Sequence, residues 1–208
     1  MKRRRFWEIG GFVAGGVLIL FGVVAIIMGA NGYNTTRDAI KAEGITFGSA
    51  DDPAVAKYAE QWAGEQVTTG DQARAFAKVM RYHTINAEWN TEHLTYAEMG
   101  RFMAADDPSN PAGTSDEEAA LKDENGQPVS NGARNIWVTE TALATALNMS
   151  YMAEQLSLFS IIIGVALVLA GLGFGILAIG GALRNPDTAF GFLHRGEKVS
   201  PTPAVPNA

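Results

Sequence analysis

Two long runs without a single charged residue constrain this chain more than any other feature. Phe12 to Ala30 contains no Asp, Glu, Lys, Arg or His, and neither does Leu156 to Leu183. At 1.5 Å of rise per helical residue, each run is long enough to cross a hydrocarbon core of roughly 30 Å. The second exceeds the roughly 20 residues a span needs, so it is expected to tilt or protrude. A cleaved signal peptide is the rival reading of the first run, because Lys2, Arg3, Arg4 and Arg5 precede it. An apolar signal core is usually about 7–15 residues, shorter than this run, and Met28-Gly29-Ala30 makes a poor cleavage site.

The basic residues set the expected orientation. Four precede the first run, and Arg184, Arg195 and Lys198 follow the second, so both ends are expected in the cytoplasm of a plasma-membrane protein. The intervening residues 31–155 hold nine Lys or Arg against nineteen Asp or Glu, a net charge of −10. Phe6, Trp7, Phe190 and Phe192 are placed as interfacial anchors. The expected division is therefore a basic cytoplasmic N-terminus over 1–11, a first transmembrane helix over 12–30 and an acidic extracytoplasmic helical domain over 31–155. A second transmembrane helix follows over 156–183, then a cytoplasmic tail over 184–208 that is Pro-rich and disordered at its end.

The chain has no cysteine, which excludes disulfides, a CxxC redox pair and cysteine-ligated zinc in the outer domain. That domain reads as all-α. The first membrane helix is expected to continue to Glu43 and stop at Gly44, followed by an extended Ile45-Thr46-Phe47. Asp52 caps a helix opened by Pro53, with Val55, Tyr58, Ala59 and Trp62 at helical spacing. Thr69 and Gln72 form a capping box for a helix running to Trp89, its inner stripe comprising Ala73, Phe76, Met80 and His83. A second box, Thr95 with Glu98, opens a helix to Ala105, with Leu94 and Met99 as its staple. Residues 106–134 read as a polar surface excursion with one short helix capped at Thr114 or Ser115. A long helix from Ala133, with Ile136, Leu143, Leu147 and Tyr151 on its buried side, then continues into the second span. Two antiparallel transmembrane helices extending into a helical domain are the expected architecture.

Small residues recur at sevens along both spans: Gly15, Gly22 and Gly29 in the first, Gly164, Gly171 and Ala178 in the second. Such seams let helix backbones approach closely where lipid supplies no hydrophobic drive. Pairing of the two spans with each other is favoured over self-association of separate copies, because the loop holds them at high effective concentration. The spans lack the ionisable residues that mark proton relays and ion paths, which argues against transport.

Candidate chemistry is sparse. His83 and His93, with Glu88 and Glu92 between them, fit neither H-E-x-x-H nor a facial triad, so no metal and no cofactor is assigned. The acidic clusters lack the alternation of an EF-hand loop, and no P-loop, G-x-S-x-G or G-x-G-x-x-G motif occurs. The acidic outer domain argues against nucleic acid as a partner. Tyr58, Trp62, Phe76, Trp89 and Trp137 are the candidate lining of a ligand pocket.

Several stretches resemble a family. Val67-Thr68-Thr69-Gly70-Asp71-Gln72-Ala73, Ala75-Phe76-Ala77-Lys78-Val79-Met80-Arg81-Tyr82-His83 and Thr95-Tyr96-Ala97-Glu98-Met99-Gly100-Arg101-Phe102 are similar to stretches of a group of two-span actinobacterial membrane proteins. So is the region Gly132 to Glu154. Members are mostly uncharacterised, and some are labelled aromatic ring-opening dioxygenases. The resemblance implies a bacterial plasma membrane and an outer domain facing the cell wall, and it carries over no catalytic residue. The function expected from these features is that of a non-enzymatic envelope protein. Its partners are the lipid bilayer and another membrane or envelope protein, or a second copy of itself. The alternatives are an extracytoplasmic ligand sensor or carrier, and a metal-dependent enzyme using His83 and His93.

Overall fold

The computed structural model describes the backbone of residues 2–179 and the side chains of residues 9–179. Arg184 and the tail beyond it, Phe190 and Phe192 among them, lie outside the described residues, as do the side chains of Phe6 and Trp7. Among the described residues four α-helices occur: α1 (Lys2–Ala42), α2 (Pro53–Tyr58), α3 (Gly70–Ile85) and α4 (Gly132–Ile179), with single 3-10 turns at Glu60–Trp62 and Tyr96–Glu98. The described residues are mostly helical and contain no strand longer than an isolated bridge. They fall into two compact units, one holding the residues up to Met28 and from Phe159 onward, the other Gly29–Leu158.

Both α1 and α4 are long and apolar enough to cross a membrane, and in the most apolar stretch of each only 17% of the residues are buried. That low burial separates them from the core helices of a soluble protein, whose apolar faces are covered by neighbours. Phe21, Leu20, Ile162 and Leu169 are among the large side chains left exposed.

In the unit Gly29–Leu158, local capping chemistry sets most helix starts. Gly44 adopts φ +65° just beyond α1, and its N–H donates to the Lys41 carbonyl at 3.1 Å, closing the helix with a left-handed turn. Ile45–Phe47 then pairs with Glu65–Val67 through Phe47 N–H to Glu65 and Val67 N–H to Ile45. Asp52 accepts the Ala54 N–H at 2.8 Å and Pro53 fills the first turn of α2. The helix expected to reach Trp62 breaks at Ala59, where φ is −149°, and the 3-10 turn that follows brings Trp62 onto Phe47 with ring centroids 6.1 Å apart. Phe47 also meets Phe76 edge-on at 5.5 Å. Around these rings Ile40, Val55, Val67, Ala73, Val79 and Leu147 form the buried core.

Three expectations are corrected, the first by local side-chain contacts and the other two by contacts distant in sequence. First, α3 ends at Ile85 rather than Trp89. Asn86 donates to the Tyr82 carbonyl at 2.8 Å, and the fully buried Asn90 donates to the carbonyls of Thr84, Ile85 and Leu94 while accepting the Leu94 N–H. Side-chain amides that bond local backbone compete with helix continuation in this way.

Second, Thr95 and Glu98 do pair, the carboxylate accepting the Thr95 N–H at 2.7 Å, but they open only a 3-10 turn. The helix to Ala105 is absent. Residues 100–105 instead run extended between two neighbours: Phe102 bridges Thr114 on one side and Ser130 on the other, and Ala104 bridges Ala120. Gly100 makes this possible, because its own Cβ would collide with the Thr114 backbone. No helix forms at Thr114 or Ser115; the Thr114 hydroxyl accepts the Asp116 N–H in a turn.

Third, the buried face of α4 is rotated from the expected one. Ile136 and Leu143 are exposed, Tyr151 is half-buried, and the stripe turned inward carries Trp137, Glu140, Ala144, Leu147 and Glu154. Two glutamates on a buried face require partners, and each has an arginine.

Candidate functional site

Those two carboxylates organise the unit Gly29–Leu158. Glu154, 4% exposed, pairs through Oε1 with Arg37 of α1 at 3.1 Å, and its other oxygen accepts the Gly70 N–H at the start of α3. The position suits an anion, since the orphan donors and positive dipole end of α3 point at it. Glu140, equally buried, pairs through Oε2 with Arg81 of α3 at 3.0 Å, while its Oε1 is buried without a hydrogen-bond partner. Burial pushes the Glu140 carboxyl above its ordinary value, against the opposing pull of the Arg81 charge. Arg81 also lies over the Trp137 ring, 4.4 Å from its centroid, and the Trp137 indole N–H donates to the Leu94 carbonyl at 3.2 Å.

His83 and His93 have separate partners. His83 Nε2 lies 2.9 Å from Asp52 Oδ2 and 3.0 Å from Oδ1. The hydrogen bond from His83, helped by the Ala54 N–H, holds the Asp52 carboxyl below its ordinary value. His93, in a left-handed conformation at φ 55°, has its Nδ1 3.1 Å from the Ile85 carbonyl. Among the described residues no group of three or more His, Asp or Glu stands close enough to hold a metal ion.

The five candidate pocket rings do not converge. Trp62 and Phe76 pack on Phe47, and Trp137 is 2% exposed. Tyr58 lies edge-on to Tyr82 beside an open cleft of about 670 Å³. Phe76 borders a second cleft of about 570 Å³, with Ile40, Ile45, Met80, Leu143 and Leu147. Trp89 borders a third, of about 410 Å³, near Asn131.

The glycines at sevens do meet. In the unit built from the ends of the chain, a Cβ on Gly15 would lie 2.7 Å from the Gly171 carbonyl oxygen, and one on Gly171 would lie 2.6 Å from the Gly15 oxygen. Gly22 and Gly164 stand in the same reciprocal relation at 2.6 Å. Backbones this close permit Cα–H to carbonyl contacts that any side chain would abolish. Gly29 is buried, in the other unit.

The buried Glu–Arg pairs escape an apolar-periodicity reading, because a helix face is sought there by its hydrophobic residues. Their one sequence signal is that Glu140 and Glu154 are the only charges between Asn135 and Ile179. Comparison of the chain with protein-family models, with curated proteins and with solved structures gives no match.

Proposed function

We propose that this chain is a two-pass protein of a bacterial plasma membrane, with both ends cytoplasmic and two antiparallel membrane helices. Its outer unit binds another envelope protein, or a second copy, rather than performing catalysis. The observation that carries this reading is the surface of α1 and α4, where side chains such as Phe12, Leu20, Phe21, Ile162 and Leu169 stand exposed on helices without neighbours to cover them. Each such side chain left in water forgoes about 1.5–3 kcal/mol, so a lipid environment is the consistent one. The signal-peptide alternative is disfavoured because α1 continues into the outer unit, where Ile40 joins the core and Arg37 pairs with Glu154.

Support for binding rather than chemistry comes from what the titratable groups are engaged in. Glu154 and Glu140 each tie α4 to an arginine of another helix, and Asp52, which caps α2, is tied to His83 of α3. Those contacts serve architecture and leave a capped, acidic helical surface facing outward. Lysine-directed crosslinking in native membranes, read by mass spectrometry, tests the reading. Links from Lys57, Lys78 or Lys122 to an envelope protein or to a second copy are expected, and their absence counts against it.

A second reading, a carrier of a small apolar ligand, draws on the cleft bordered by Ile40, Ile45, Phe76 and Met80. Saturable uptake of an apolar fluorescent dye, lost in Phe76→Asp with the fold intact, would favour it.

A further inference from the structure

The face of α4 opposite its buried stripe carries a regular pattern that nothing in the outer unit uses. Val138, Ala142, Thr145, Met149, Met152 and Leu156 alternate at spacings of four and three, and all six are exposed. The same register continues along the helix through Phe159 and Ile163 to Leu177. An apolar repeat averaging 3.5 residues over several heptads is the seam of a coiled coil, which needs another helix of comparable length against it.

A helix face exposed to water ordinarily carries charge. Between Asn135 and Ile179 the only charged residues are Glu140 and Glu154, and both lie on the buried stripe. The positions flanking the seam, Thr139, Thr141, Ala146, Asn148, Ala153 and Gln155, are all uncharged. In a segment of net charge −10 this neutral strip is the surface along which two identical copies meet without like-charge repulsion. A basic partner would instead be drawn to the acidic surface elsewhere.

We propose that a second copy of this chain covers the strip, the two α4 helices lying parallel and in register. The proposal rests on the membrane reading above: insertion of both copies in the same orientation makes the pairing parallel, so Met149 meets Met149 and Met152 meets Met152. The large apolar seam residues of the unit Gly29–Leu158, Val138, Met149, Met152 and Leu156, are each 49% to 65% exposed. Together they offer on the order of 400 Å² per copy, about half of the roughly 800 Å² per partner of a standard interface. The flanking residues supply the remainder.

The absence of native cysteine makes the test clean. Thr145→Cys, Met149→Cys and Met152→Cys are introduced singly into the full chain, with Asp71→Cys and Asp116→Cys as exposed positions off the strip. Native membranes are then treated with a mild oxidant. A disulfide-linked product of twice the 22.1 kDa chain is expected at the three strip positions, and little at the other two. Met149→Lys with Met152→Lys, which places four ammonium groups across the seam, is expected to shift the detergent-solubilised protein to monomer. Three results overturn the proposal: equal linkage at every position, no linkage at any, or linkage to a protein of different mass. Retention of the chain in alkali-washed membranes, measured on the same samples, separates failure of this pairing from failure of the membrane reading.

Discussion

Arg37 and Glu154, 117 residues apart, meet at 3.1 Å, and the same carboxylate accepts the Gly70 N–H that opens α3. One buried side chain thus joins α1, α3 and α4. Gly70 allows it, because a Cβ there would lie 2.9 Å from both the Glu154 oxygen and the Tyr151 Cα.

Removal of that carboxylate is expected to be costly in a graded way. Glu154→Ala leaves the Gly70 N–H and a two-thirds buried guanidinium without partners. Breaking a buried pair costs about 3–5 kcal/mol, and the partial exposure of Arg37 lowers the expectation to about 2–3 kcal/mol. Glu154→Gln keeps a carbonyl acceptor for Gly70 and is expected to lose only about 1 kcal/mol. Urea unfolding in mild detergent, followed by tryptophan fluorescence, measures both; equal losses would contradict the role assigned to Gly70.

Glu140 supplies a pH dependence whose sign follows from its raised carboxyl. The folded chain holds this proton more tightly than the unfolded chain, where the value is near 4.5. Its contribution to stability is therefore fully present below about pH 4.5 and is lost as the pH rises through the higher folded value. Relative to Glu140→Gln, which cannot titrate, the wild-type chain is expected to be less stable at pH 7 than at pH 4. Unfolding midpoints of both proteins at the two pH values give the comparison, and a pH-independent difference would refute it.

The glycine pairs are expected to differ sharply from glycines nearby. Gly22→Leu drives its side chain into the Gly164 carbonyl and Val168, whereas nothing stands within 4 Å of a Cβ on Gly16. Overpacking of this kind costs about 1–3 kcal/mol, while Gly16→Leu is expected to be neutral or slightly stabilising through helix propensity. Thermal unfolding in detergent distinguishes the two.

What the sequence makes legible here is local. Asp52 with Pro53, Thr69 with Gln72 and Gly44 act within four residues of themselves, so their caps can be read directly. The spacing of seven is visible too, but which glycine faces which is a property of two helices and not of one. Long-range pairings hide most of the rest. The extended path of residues 100–105 depends on Thr114, Ala120 and Ser130, whereas the end of α3 is set locally by the Asn90 amide, whose turn the apolar spacing does not reveal. The face of α4 is set by Glu140 and Glu154, which an apolar pattern assigns to solvent until their arginines, far away in the chain, are found. The candidate rings stand out by residue type, yet the placing of Tyr58, Phe76 and Trp89 at three separate clefts is visible only in three dimensions.

The central claim, two crossings with the unit Gly29–Leu158 outside, is tested most directly by labelling single cysteines in intact cells with a membrane-impermeant maleimide. Asp116→Cys is expected to label from outside, and Lys2→Cys and Ala208→Cys only after the membrane is permeabilised. Labelling of either end in intact cells, or protection of position 116, would contradict the account.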